Sequence, residues 1–423
     1  MCLIYKSDHG DRRGIAVNER VARTYRGCLG DGRTEPPLEK CDFQAHSAGM
    51  ALPPSSFAIG RRIQLAREAL PLTQAELARR LDIASHQSIS DLEKGLRRIQ
   101  SAEELARLAN VLGKPVDYFI DPFSLVGEAE YSWRRSPGMQ EAGPFEARAE
   151  QVVGLLRWLR AQDEDAVNPL KSALRLSDCS TFEDAERAGE RLCEVLKLGS
   201  VPAEKLLEST ETQLDIPVLH LDMGIGVAGG SVSGATVHLG DFTCILINRE
   251  ESRGRRHFDL AHEIFHALTW DAMPPEPVEA NTLGDHGTGK KARIEKLADQ
   301  FAAALLMPRS LLEPTVQRVA TGNVEQLRAL AQHFGVSTAA LAYRLFHLQL
   351  IDRGTRDALK ARSAEDPARV RPALLSRSFA ALLSQALQNG RLSPRKAAKL
   401  LGVNLGTLEG LLREWGQSAA IDF

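Results

Sequence analysis

The sequence predicts a multidomain chain. An all-α unit comes first, then a mainly α (α+β) domain with a small sheet, then a helical C-terminal region. Three observations predict this. Short helices with Ser or Thr caps and Gly stops follow one another over residues 57–112. The apolar period becomes strand-like around 213–248. Two long helical segments, 253–270 and 292–306, then flank a loop rich in Pro and Gly.

Length and composition bound the rest. The chain has 423 residues, 43% hydrophobic and 26% charged, with a formal net charge of -2. These values exclude a wholly disordered, collagenous or coiled-coil chain. The balanced charge carries no nucleic-acid signature, although one small basic module could be diluted within it. Six cysteines are too few for a disulfide scaffold, and none forms a C-x-x-C pair. No apolar run of about 20 residues exists to span a membrane. A reduced cytoplasmic location is the expectation.

Residues 1–56 lack apolar periodicity and read as a disordered or mis-called extension, with Met50 as the expected biological start. Residues 57–120 read as a compact helical unit. Thr73 caps a helix over Gln74–Leu81, with Glu76 placed to complete a capping box. Ser85 caps His86–Lys94, stopped by Gly95, and Ser101 caps Ala102–Leu112, stopped by Gly113. Residues 121–145 read as a linker. Residues 146–352 form the α+β domain, with helices over 146–162 and 181–198 and strands at Ile216–Leu221 and Thr243–Asn248 joined by a Gly-rich turn. Residues 353–423 form the helical C-terminal region. There Ser393 caps a helix with Pro394 at its first position, and residues 376–415 read as a second helix-turn-helix-like unit, either packing, dimerising or DNA-contacting.

Two constellations carry chemistry. In the first, Leu77, Ala78, Leu81, Ile83, Ile89 and Leu92 hold two capped helices around a turn at Asp82–Ser85. This geometry presents a second helix to a DNA major groove. Ser85, His86, Gln87, Ser90 and Asp91 fall at its start or on its outward side, where hydroxyls and amides suit base edges. Arg97 and Arg98 can meet phosphates, and Gln74, at a helix N-terminus, can donate to another. Residues 57–120 hold ten basic and eight acidic side chains, so one copy binds weakly and a homodimer is expected. The run L-T-Q-A-E-L-A-R-R-L-D-I, then S-H-Q-S-I-S-D-L-E-K-G and A-R-L-A-N-V-L-G-K-P-V-D-Y-F, resembles the Xre/Cro/C1 helix-turn-helix family of phage-type repressors. The turn is one residue longer than that pattern, at Ala84.

The second is His262-Glu263-Ile264-Phe265-His266, an H-E-x-x-H in a helical segment. Residues i and i+4 share one helix face, so two imidazoles can converge on one zinc ion. Glu263, beside the metal without ligating it, can take a proton from the attacking water and pass it to a leaving amine. Glu295 is the best third ligand. Asp299, four residues on, can reach the free ring nitrogen of a ligand histidine and orient it. This arrangement makes the domain zincin-like, in the gluzincin pattern. His257 reads as a packing residue, and His286 as a loop histidine. Tyr343 and Arg344 are candidates for transition-state stabilisation only if their helix lines the cleft.

R-R-H-F-D-L-A-H-E-I-F-H and I-E-K-L-A-D-Q-F-A-A-A-L-L-M-P together resemble the ImmA/IrrE family of metallopeptidases, over about residues 180–352. That resemblance implies zinc on His262, His266 and Glu295, with Glu263 as general base. It also implies a protein substrate, a phage-type repressor, in the control of a mobile element or a stress response. The loop at 271–291 departs from the family by its length and lies where it could cover the cleft. The rival expectation is a non-catalytic transcription factor or antitoxin-like protein whose metal site is structural or sensory.

Overall fold

A computed structural model describes residues 55–135, 143–162, 174–222, 232–239, 243–280, 289–318, 323–361 and 370–418. The extension at 1–54, including Met50, lies outside them.

Five helices make the N-terminal unit: α1 (Ser56–Ala69), α2 (Gln74–Arg80), α3 (His86–Glu93), α4 (Ala102–Leu112) and α5 (Val116–Ile120). The hydroxyls of Ser55, Thr73, Ser85 and Ser101 each accept an N–H that the following helix cannot satisfy internally. The capping box expected at α2 is only half made. Thr73 accepts from the Glu76 amide, but the Glu76 carboxylate is drawn to Arg79 and Arg80. Gly113 ends α4 at φ 63°, a conformation open to glycine without strain. Ile63, Leu77, Ile89, Leu92, Leu108 and Phe119 form the core.

Beyond α5 the structure departs from the expected linker. Residues 129–135 form strand β1 (Ala129–Arg135), which pairs antiparallel with β3 (Val232–Leu239). Tyr131 and Trp133 alternate with Ser132 and Arg134, the period of a two-faced strand. Gly and Pro at both ends hid this short alternation. The segment 232–239 also departs from the expected Gly-rich turn: small residues such as Gly234 and Ala235 weaken its apolar signal, yet all but one of its residues are buried.

The sheet has five strands among the described residues, in the order β2-β4-β3-β1-β5, with β2 (Val218–Leu221), β4 (Thr243–Asn248) and β5 (Val278–Ala280). β2 runs parallel to β4 and β5 parallel to β1; the two inner pairings are antiparallel. β5 lies within the expected covering loop and places part of it on the sheet edge.

Helices cover both faces. α6 (Gly143–Ala161) lies on one. On the other side stand α7 (Phe182–Val195), α8 (Pro202–Gln213), α9 (Arg253–Thr269) and α10 (Lys290–Leu306). Along β4, Ile245 and Ile247 point to the α9 side, while Cys244 and Leu246 point to the α6 side. α11 (Arg309–Val316), α12 (Val324–Phe334), α13 (Thr338–His347) and α14 (Arg353–Ala361) extend the α9 layer. α15 (Arg377–Gln388), α16 (Pro394–Leu401) and α17 (Leu405–Arg413) join α6.

The expected division at residue 353 is therefore not a division between cores. Phe379, Leu383, Leu401 and Leu412 share one cluster with Val153 and Leu156 of α6 and with the sheet. Ser393 does cap α16, with Pro394 at its first turn, and Gly402 closes it. The second helix of this pair offers Gly406, Thr407 and Gly410 outward, with Arg413 paired to Glu409. The inner faces of this pair pack against α6 and the sheet. Among the described residues, no helix is long and apolar enough to cross a membrane.

α7 and α10 approach closely at Gly189. A Cβ there would lie 2.4 Å from the Phe301 carbonyl oxygen and 2.9 Å from the Leu305 nitrogen, both backbone atoms. Gly189→Ala must push α10 away and is expected to cost about 1–3 kcal/mol, seen as a lower urea midpoint. Gly354→Ala, where the nearest neighbour is a side-chain oxygen of Asp352 at 3.6 Å, is the control and should leave the midpoint nearly unchanged.

Candidate functional site

α9 opens on Ser252, whose hydroxyl accepts from the Arg255 amide, and runs between the sheet and α10. Its apolar residues Phe258, Leu260, Ala261, Ile264, Phe265 and Leu268 are all buried, which leaves its polar residues inside as well. His262 and His266 are 0% exposed and Glu263 is 1% exposed. α10 brings Glu295 and Asp299, four residues apart, onto the face toward α9.

The ligating atoms converge. His262 Nε2 lies 3.0 Å from His266 Nε2 and 3.2 Å from Glu295 Oε2, and His266 Nε2 lies 3.6 Å from Glu295 Oε1. Donors about 2 Å from a shared tetrahedral centre stand roughly 3.3 Å apart, so the spacing suits a zinc-sized ion. Asp299 Oδ1 is 2.9 Å from His262 Nδ1. An ionised carboxylate only accepts, so Nδ1 donates to Asp299 and Nε2 faces the other two ligands.

Charge makes the same point. Asp259, Glu263, Glu295 and Asp299 are all buried in this region. Arg134 Nη1 lies 3.2 Å from Asp259 and its Nη2 3.5 Å from Asp299, and Arg255 reaches Asp259 at 3.1 Å. Four carboxylates meet two guanidiniums, and with both imidazoles neutral a divalent cation would offset the excess. Burial alone would raise the Glu295 carboxyl. The His266 charge and hydrogen bonds from both imidazoles instead carry it well below the usual carboxylate range. Burial would likewise lower Arg134, but Asp259, Asp299, Glu263 and Glu295 more than offset it, and its pKa is raised.

Glu263 is held from the sheet. Thr236 Oγ1 donates to Glu263 Oε2 at 2.7 Å. Gly234 also borders it: a Cβ there would stand 3.6 Å from Glu263 Oε1. Thr236, Arg134 and Asp259 escaped the sequence reading. Asp259 sits three residues before His262, where its helix face could have been inferred; Thr236 and Arg134 lie on strands the apolar pattern did not reveal.

The remaining candidates have other partners. His257 Nδ1 lies 2.7 Å from the Gly335 carbonyl oxygen and joins α9 to the end of α12. His286 is outside the described residues. Arg344 is buried and donates to the Met307 carbonyl, Glu186 and Glu190, so it ties helices together, and with Tyr343 it lines a cavity that Phe258 and Asp299 also border. The Tyr343 hydroxyl accepts from Lys360.

In the helix-turn-helix, the expected DNA-reading residues divide. Ser85 caps α3, and His86 and Gln87 are exposed, with Gln87 donating to Asp91 at 2.8 Å. Arg98 is exposed. Ser90 departs from its expected outward position: it is 9% exposed, because Ile89, Ser90, Leu92 and Glu93 together make a wide inner face. Arg97 pairs with Glu104, so its charge is already balanced. Gln74 donates to Glu93 at 2.8 Å, and Glu93 also accepts from Arg67 at 2.6 Å and 3.1 Å. The Gln74 amide thus places one of its two hydrogens in this network.

Residues 211–346 match the model of the IrrE N-terminal-like domain, of the peptidase M78 type, and residues 63–119 match a helix-turn-helix model. A 61-residue stretch is 44% identical to a Rhodospirillum rubrum protein described as an uncharacterized transcriptional regulator in the ATPase CF(0) region. The match covers 14% of this chain and 55% of that relative, so the chain spans about half the relative's length. The chain thus combines a helix-turn-helix domain with an IrrE-like, peptidase-type domain.

The Arg67–Glu93–Gln74 network holds α1, α2 and α3 together. Removing one partner of a buried pair strands the other charge. Glu93→Ala is expected to cost about 3 kcal/mol in thermal or urea unfolding of the N-terminal unit. Glu93→Gln, which keeps the shape, should lose less.

Proposed function

We propose that this protein is a DNA-binding regulator with a zinc-dependent endopeptidase centre, EC 3.4.24-like, that cuts a protein substrate, a transcriptional repressor, to control a mobile element or a stress response. One observation carries the reading: three ligating atoms converge beside a buried carboxylate that is not one of them. His262, His266 and Glu295 would hold the zinc, and Asp299 would orient His262. A bound zinc ion would supply Lewis acidity, polarising the scissile carbonyl and making a water molecule acidic near neutral pH.

The chain's own groups do the rest. Glu263 accepts the proton of the attacking water and delivers it to the leaving amine nitrogen. Thr236 occupies one carboxylate oxygen, which fixes the plane of the group and leaves the other oxygen for the proton. The packed apolar residues of α9 keep bulk water from the two histidines, which strengthens every charge interaction there.

In the N-terminal unit, α3 is proposed to enter a major groove. His86 and Gln87, at its exposed start, would reach base edges, and Arg98 would neutralise a phosphate. Two copies on a two-fold site would supply the affinity that one mildly basic unit lacks.

Purified protein is expected to carry about one zinc per chain, and His262→Ala to lose it. Glu263→Gln should keep the metal and lose repressor cleavage by 100-fold or more, read by incubation with candidate repressors of the same genome. Equal action of wild type and Glu263→Gln at a target promoter, with no partner cut in cells, would support the non-catalytic, sensory alternative instead.

For DNA, Arg98→Ala should weaken binding across sequences and reduce the salt slope by about one. Gln87→Ala should relax discrimination at one base position by about 1–3 kcal/mol. Ser90→Ala should change neither. Loss of sequence preference in Ser90→Ala alone would overturn this assignment of the interface.

A further inference from the structure

We propose that Arg134 is a positioning residue of the metal centre, acting through Asp299 on His262. The proposal rests on the zinc reading of that site.

Arg134 is 1% exposed and reaches two carboxylates on two different helices. Its Nη1 meets Asp259 Oδ1 on α9, one turn before His262, and its Nη2 meets Asp299 Oδ1 on α10, one turn after Glu295. The same Asp299 oxygen lies 2.9 Å from His262 Nδ1. One guanidinium therefore bridges the two helices that carry the ligands. Its planar fork can hold both carboxylates at once, which a point charge cannot.

The base of that fork is fixed as well. β1 is paired on both sides, with Arg134 opposite Gly234 on β3 and opposite Glu279 on β5. The strand sets where the guanidinium stands. The guanidinium sets the spacing of α9 and α10 at the level of the ligands. That spacing decides whether Glu295 meets the two imidazoles. Held by Arg134, the Asp299 carboxylate keeps its oxygen on Nδ1 and fixes the orientation of the His262 ring.

The test uses the full chain. Zinc affinity is measured by competition with a chromophoric chelator, and ligand geometry by the visible absorption of the cobalt-substituted protein. Arg134→Met is expected to weaken metal binding about 10- to 100-fold and to alter the cobalt spectrum, as should Asp299→Asn. The double variant should bind no more weakly than Asp299→Asn alone, because both changes cut one path. Arg134→Lys should recover part of the affinity, since it restores charge without the fork.

Two results overturn the proposal. One is a folded Arg134→Met protein, judged by circular dichroism, with wild-type affinity and spectrum. The other is a double variant whose losses multiply. If Arg134→Met does not fold, Arg134→Lys replaces it in the same cycle with Asp299→Asn. His262→Ala separates the two readings. If it binds zinc as tightly as wild type, the zinc site itself fails. If it loses zinc while Arg134→Met does not, only the role of Arg134 fails.

Discussion

Four carboxylates are buried within one region of this protein, between α9, α10 and the sheet. An isolated buried charge is strongly disfavoured, so each needs a partner close by. The surrounding architecture meets that requirement from three directions. β1 sends Arg134 to Asp259 and Asp299, the first turn of α9 sends Arg255 to Asp259, and the histidines of α9 meet Glu295 and Asp299. The sheet is therefore part of the site. It contributes a guanidinium from β1 and a hydroxyl from Thr236 on β3, and both strands must lie side by side for this to happen.

The same strand joins the peptidase-type body to the helix-turn-helix. Arg62 of α1 is fully buried and donates to the carbonyls of Phe119, Asp121 and Ser124 and to the carboxylate of Glu128. Glu128 also pairs with Arg157 of α6, which donates in turn to the Pro122 carbonyl at 2.7 Å. Two guanidiniums thus satisfy a turn whose backbone would otherwise be left without partners. The chain leaves that turn directly into β1. Within a segment that composition marks as a spacer, residues 121–135 form a largely half-buried connection whose backbone finds partners.

What the sequence made legible follows from the range of the forces involved. Caps, the i, i+4 spacing of His262 and His266, and the spacing of Glu295 and Asp299 are local, and each was readable within a few residues. The metal cluster needed only two helices to face one another, which their apolar stripes imply. Arg134 was hidden because its partners lie 125 and 165 residues away and its strand is short. Ser90 and Arg97 misled for the opposite reason. Helical position suggested that Ser90 faces outward, but a wide inner face takes it; Arg97, expected to meet a phosphate just past the helix, pairs with Glu104. Thr236 gave no signal, since a threonine in a strand is ordinary and only the approach of Glu263 makes it more.

The C-terminal helices take their place from the sheet they cover. The sheet alternates apolar side chains on both faces, so both must be covered. The α9 layer covers one face. α6 alone is too narrow for the other, and α15, α16 and α17 complete it with Phe379, Leu383, Leu401 and Leu412. At α2–α3 the outward start of the second helix carries His86 and Gln87, with Arg98 beyond it. At α16–α17 it carries glycines and a paired arginine. The two units share a helix-turn-helix outline and differ in the side chains left over once their cores are filled.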